Sequence, residues 1–85
     1  MRAEYHKDFV KQFSKLPQKQ KARVISATEL FLQEPEAHKL RNHALTGEYR
    51  GQRSVSAGGD LRLHYIELDG KVVLFVAVGT HSQLY

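Results

Sequence analysis

The chain has 85 residues, no cysteine, and 13 Lys+Arg against 9 Asp+Glu, a formal net charge of +4. That length makes one domain, residues 1–85, burying roughly 60–65% of the surface its unfolded form exposes. Disulfides and thiolate metal sites are excluded, no run reaches the ~18 apolar residues of a membrane span, and the charged start "MRAEYHKDF" has no signal-peptide core, so a cytoplasmic protein with an acidic partner such as nucleic acid is expected.

The stretch "RAEYH" reads as a short first strand. "KDFVKQFSKL" sets Phe9, Phe13 and Leu16 at i, i+4 and i+7, one face of a helix, with Val10 widening the stripe. Lys7, Lys11 and Lys15 share the other side and read as a solvated face. Pro17 breaks this helix and suits the first position of the next. "QKQKARVISATELFLQE" carries Ala22, Val24, Ile25, Thr28, Phe31 and Leu32 in helical period until Pro35 stops it. So short a connection makes the two helices an antiparallel hairpin, neither stable alone.

The second half changes period. "GEYRGQRSVS" alternates Tyr49, Gly51, Arg53 and Val55 against Arg50, Gln52, Ser54 and Ser56, and "AGGD" reads as a turn. "LRLHYIEL" alternates Leu61, Leu63 and Tyr65 against Arg62, His64 and Ile66. Asp69-Gly70 is a hairpin signal, and "KVVLFVAV" is apolar on both faces, as an interior strand requires. The fold class is α+β: a short N-terminal strand, then a helical hairpin packed on one face of a mostly antiparallel β-sheet. If Leu61, Leu63 and Tyr65 face the helices, Arg62 and His64 point to the open face.

No metal, Walker-loop or dinucleotide signature occurs among the five histidines and six glycines. What remains is a cationic and imidazole set. Arg50, Arg53 and Arg62 suit phosphate binding and stabilisation of developing charge. Histidines change charge near neutrality, so His43 and His81 suit proton transfer. Asp60 suits orienting a histidine, and Tyr85 stacking on a base or bonding a phosphate. A metal-free ribonuclease needs these parts. Each residue also has an ordinary role open to it: Arg53 and Arg62 can pair with Glu48 and Glu67, His64 can be a half-buried strand histidine, and Tyr85 can cover the end of the core.

The order of elements, with "EYHKDFVKQFSKLP", "NHALTGEYRGQRSV" and "LRLHYIELDGKVVLFVAVGTHSQLY", resembles the RelE/ParE superfamily of bacterial toxin–antitoxin toxins, in its YafQ branch. That branch carries a His-Pro-Leu-x-Gly-x-aromatic-basic-Gly stretch and a Gly-Thr-His-x-x-Leu-aromatic ending, here "HALTGEYRG" and "GTHSQLY". The resemblance implies a RelE-like fold and a ribosome-dependent endoribonuclease, an mRNA interferase that cleaves mRNA in the A site. It implies a cognate antitoxin protein, contact with ribosomal RNA, and no metal or organic cofactor. His43, Asp60, His81 and Tyr85 match the family's histidine, aspartate, terminal-motif histidine and final aromatic.

Three positions depart from the YafQ pattern: Ser56 replaces a second histidine, Leu61 a tryptophan, and Ala77 a phosphate-holding arginine. "DLRLHY" resembles the Tyr-Arg-Leu-Val-Tyr strand of RelE, whose arginine Arg62 matches, and Arg50 and Arg53 lie near RelE's basic strand positions. The resemblance therefore assigns Arg62 the role vacant at Ala77, with His43 as base, helped by Asp60, and His81 as acid. The departures keep two rivals in view: a ParE-like poison of DNA gyrase without ribonuclease activity, and a degenerate member that only binds its antitoxin.

Overall fold

In the computed structural model, which describes Met1–Tyr85, the chain runs β1 (Arg2–Tyr5), α1 (Lys7–Ser14), α2 (Gln18–Gln33), β2 (His43–Ala44), β3 (Arg53–Ser56), β4 (Leu61–Asp69), β5 (Val72–Thr80) and a last turn of helix, α3 (His81–Leu84). One sheet of order β1-β5-β4-β3-β2 results. Strands β2 to β5 pair antiparallel, while β1 runs parallel to β5 with Arg2 opposite Val72 and Tyr5 opposite Phe75. No helix is long and apolar enough to cross a membrane.

Both helices sit where their periods direct. Pro17 takes the N-cap of α2, one place before the expected first position, and its carbonyl accepts from the amides of Gln20 and Lys21. A residue with no N–H leaves nothing unsatisfied there. In α1 the His6 Nδ1 accepts from the Asp8 amide and caps the first turn. Val10 and Ile25, counted in the apolar stripes, are half exposed, and Ala27 is buried in their stead.

The expected strand through "GEYRGQRSVS" is shorter in the structure. Gly47–Tyr49 form a 3-10 turn and pairing with β4 begins only at Arg53. Gly47 (φ 67°) and Gly51 (φ 93°) lie in the left-handed region, which extended backbone does not contain, so alternation alone misread the segment. The "AGGD" turn forms as expected, Gly58 and Gly59 both with positive φ. Asp69 closes the β4–β5 hairpin by accepting the Lys71 and Val72 amides on Oδ1.

The core lies between the helices and one sheet face. Phe75 is fully buried at its centre, with ring centroids 5.7 Å from Phe9, 5.5 Å from Phe31 and 5.7 Å from Tyr65. Leu61, Leu63, Val55 and Val78 complete the face that meets the helices. Beyond the end of β1, α1 takes over the edge of β5, where Gln12 Oε1 accepts the Val78 amide at 2.8 Å. Truncation at the centre leaves a cavity that its aromatic neighbours, fixed by both helices, cannot fill. Phe75→Ala is expected to lower unfolding free energy by about 3–5 kcal/mol, read as a shifted urea midpoint.

Candidate functional site

Strand β4 carries the site because period two sends alternate side chains to opposite faces. Leu61, Leu63 and Tyr65 enter the core, so Arg62 and His64 stand on the open face, as their alternation requires. Residues paired across strands share a face. Two rows on the open face follow from the register: His43–Ser54–His64–Ala77, and Ser56–Arg62–Gly79. With strands ~4.8 Å apart, His43 and His64 stand roughly 10 Å apart in the first row.

His43 is exposed, and its Nδ1 lies 2.8 Å from the Arg41 carbonyl. A carbonyl only accepts, so in the neutral ring Nδ1 holds the proton and Nε2 presents a free lone pair. Arg41 adopts a left-handed φ of 50°, in the short bend that leads into His43. The adjoining Asn42 is fixed by three bonds: its amide donates to the Pro35 carbonyl and the Tyr65 hydroxyl, and its Oδ1 accepts from Arg53 Nε at 2.8 Å. Arg53 therefore sits in a different row, with Tyr65 and Phe75, on the helix side of the sheet.

Arg62 folds back over the β3–β4 turn. Its Nη1 donates to the Gly59 carbonyl (2.7 Å), the Leu61 carbonyl (3.1 Å) and Ser56 Oγ (3.3 Å). Nε and Nη2 make no bond within the protein, and neither Arg62 nor Arg53 pairs with a carboxylate. Ser56 thus supports the guanidinium from the position where the resemblance expects a histidine. Arg50 is exposed beside Tyr49. The Asp60 carboxylate holds no histidine. Instead its carbonyl accepts the His81 amide at 2.9 Å, tying the β3–β4 turn to the start of α3.

The segment "GTHSQLY" is a built turn. Thr80 and Gln83 form a reciprocal capping box, Thr80 Oγ1 taking the Gln83 amide and Gln83 Oε1 the Thr80 amide. Gly79 makes the room: a Cβ there would stand 2.9 Å from Gln83 Oε1. The Tyr49 hydroxyl donates to the Leu84 carbonyl at 2.7 Å and holds the turn against the sheet. Tyr85 then reaches back, its hydroxyl 2.9 Å from His64 Nε2 and its ring centroid 4.6 Å from His81.

An aromatic group results. The Tyr49 ring lies 5.8 Å from His64 and 5.4 Å from Tyr85, and Tyr85 lies 5.3 Å from His64. Beneath it His64 is 1% exposed, although it faces away from the helices. An open cleft of about 400 Å³ beside it is lined by Tyr49, Gln52, His64, Ala77 and Gln83, and reaches His6, Asp8 and Gln12 at the edge of α1. No group of three His, Asp or Glu side chains is placed to hold a metal ion.

The structure therefore gathers His81 and Tyr85 with His64, sets His43 in the same row as His64, and puts Arg62 in the next row. Arg53 lies apart, and Arg50 lies on the rim. Tyr49 and His64 join the site from outside the sequence candidates. Alternation places His64 on the open face, but nothing local in the sequence signals that Tyr85 meets it across β5.

A family model for YafQ, the bacterial toxin of type II toxin–antitoxin systems, matches residues 1–85. Among solved structures the chain is similar to YafQ from Escherichia coli strain BL21(DE3), 26% identical with TM-score 0.80, over 98% of this chain and 96% of that one. It is similar to YafQ in the E. coli DinJ–YafQ toxin–antitoxin complex, 27% identical with TM-score 0.76, over 98% and 94%. The archaeal RelE–RelB complex from Pyrococcus horikoshii OT3 shares the fold, with TM-score 0.74 at 23% identity over 96% of each chain. No curated protein gives a significant match.

Burial of His64 holds its pKa below the ordinary histidine value of 6.5, and the nearby His43 pushes the same way. Above that value the ring is neutral folded or unfolded, and its full contribution to stability is present. As pH falls through the window from 6.5 down to the folded value, the unfolded chain takes up a proton that the folded ring refuses, and stability is lost. Thermal melts between about pH 7.5 and pH 5 should show a steeper fall in Tm for the wild type than for His64→Gln. Equal slopes would assign the pH dependence to other groups.

Proposed function

The chain belongs to the YafQ family of type II toxin–antitoxin toxins, and on that premise we propose that it is a ribosome-dependent endoribonuclease that cuts mRNA in the A site and is neutralised by a cognate antitoxin. One observation carries the chemistry. A single open sheet face gathers an imidazole with a free Nε2 (His43), a guanidinium with free Nε and Nη2 (Arg62) and a second exposed imidazole whose ring lies tilted 4.6 Å from an aromatic ring (His81 by Tyr85).

The proposed reaction is an internal transesterification. His43 Nε2 takes the proton of a ribose 2′-hydroxyl, with its Nδ1–H held by the Arg41 carbonyl. The 2′-oxygen attacks the adjacent phosphorus, the P–O5′ bond breaks, and the 5′-oxygen leaves with a proton from His81. The products are a 2′,3′-cyclic phosphate and a 5′-hydroxyl end, so atoms and charge balance without another reactant. Arg62, through Nε and Nη2, holds a non-bridging oxygen as charge grows. Tyr85, half exposed, offers its ring to a base.

The remaining expected residues support this site from nearby. Asp60 acts through its backbone, by fixing the start of α3. Arg53 acts through Asn42, by holding the segment that ends in His43. Arg50, exposed beside Tyr49, contacts RNA phosphate. The antitoxin assignment is supported by the DinJ–YafQ and RelE–RelB complexes of its structural relatives.

Incubation with translating ribosomes, with mRNA ends mapped by primer extension, tests the reading. Breaks confined to A-site codons are expected. His43→Ala and His81→Ala should each cut about 10²–10⁴-fold more slowly, and Arg62→Ala about 10²-fold, with melting temperatures retained. Wild-type rates in both histidine variants would overturn the assignment. Gyrase-dependent DNA breaks without mRNA cleavage would replace it with gyrase poisoning.

A further inference from the structure

We propose that His64 is a positioning residue that holds the Tyr85 hydroxyl across the open sheet face and thereby fixes the last turn, with His81, over the scissile phosphate. The inference rests on the nuclease reading above for its catalytic consequence, and on geometry alone for the His64–Tyr85 link.

The four-residue helix α3 is too short to persist by its own hydrogen bonds. Its backbone has anchors at both ends, Asp60 at His81 and Tyr49 at Leu84. Neither fixes a side chain that would act on RNA. The His81 imidazole makes no hydrogen bond, and its aromatic contact is the Tyr85 ring, 4.6 Å away. The phenol of Tyr85 in turn has one partner, His64 Nε2 at 2.9 Å. The orientation of His81 therefore traces through Tyr85 to His64.

His64 is built for this. It is 1% exposed while Tyr85 is 50% exposed, so the imidazole is the fixed member of the pair and the phenol the held one. Burying an imidazole is unfavourable unless it is bonded, and an aliphatic side chain would fill the same sheet position without that penalty. Its one hydrogen bond goes to Tyr85. Its row neighbours Ser54 and Ala77 are short, which leaves the phenol room to cross β5. The link exists in either neutral tautomer: an unprotonated Nε2 accepts from the phenol, and a protonated Nε2 donates to its oxygen.

Two measurements test the proposal. The first is independent of activity: ¹⁵N and ¹³C NMR of the His64 ring in the wild type and in Tyr85→Phe. A shift of the Nε2 resonance on loss of the phenol is expected, and an unchanged resonance overturns the link. The second is a double-mutant cycle read as single-turnover cleavage of ribosome-bound mRNA. His64→Leu should slow cleavage on the order of 100-fold, and His64→Gln, which can place an amide near the Nε2 position, should recover most of it. In a Tyr85→Phe background His64→Leu should cost little more. A full additional loss in that background means that His64 does not act through Tyr85, and overturns the positioning role. Should His64→Leu not fold, Tyr85→Phe alone carries the kinetic test: it should slow cleavage on the order of 100-fold, and a wild-type rate overturns the positioning role. Absence of cleavage by the wild type would overturn the nuclease reading and the catalytic consequence, while the NMR result still decides the link.

Discussion

The alternation of β4 is the constraint on which the molecule depends. Leu61, Leu63 and Tyr65 have to enter the core, because the helices and one sheet face supply most of the apolar residues that this chain buries. Once they do, Arg62 and His64 have no choice of side. A one-residue slip of β4 against β5 would bury a guanidinium among phenylalanines and expose the leucines. Core stability and the placement of the site are therefore the same register decision, made where β4 pairs with β5.

The open face solves a second problem. A sheet with one face uncovered normally leaves its outward residues in water, yet His64 is as buried as the core leucines. Its cover comes from Tyr49 and Tyr85, two rings brought from distant parts of the sequence by a 3-10 turn and a capped final turn. Those rings shield one imidazole and leave others exposed. His43 and His81 keep access to solvent while His64 does not. Histidines near one face thus differ in exposure through their surroundings alone.

Hydrophobic period, proline and glycine are local signals, so the layers, both helices, the turns and the open face are legible in the sequence. Residues 47–52 are not, because alternating residue types there sit on backbone that glycines fold away from a strand. Among the candidate residues, alternation placed Arg62 correctly, and family resemblance singled out His43 and His81. Arg53 shows the limit of both. Alternation groups it with Val55 on the core face, where it pairs with Tyr65, but its partner Asn42 lies in an irregular segment whose path no period encodes. The Tyr85–His64 contact was hidden for the same reason: it joins residues that approach only after β4 and β5 have paired and α3 has turned back.

The parallel pairing of β1 with β5 bears on when this protein exists as a folded object. Arg2–Tyr5 has no strand partner until Val72–Phe75 has been synthesised, and α1 packs on the same late strand through Phe9 and Gln12. Closing so long a loop costs entropy before any contact rewards it. α1 therefore has no sheet edge to pack on until β5 has formed. The face that carries His64 is completed by Tyr85, which follows β5 in the chain. The cover over His64 therefore depends on the same strand, β5, that gives β1 its partner.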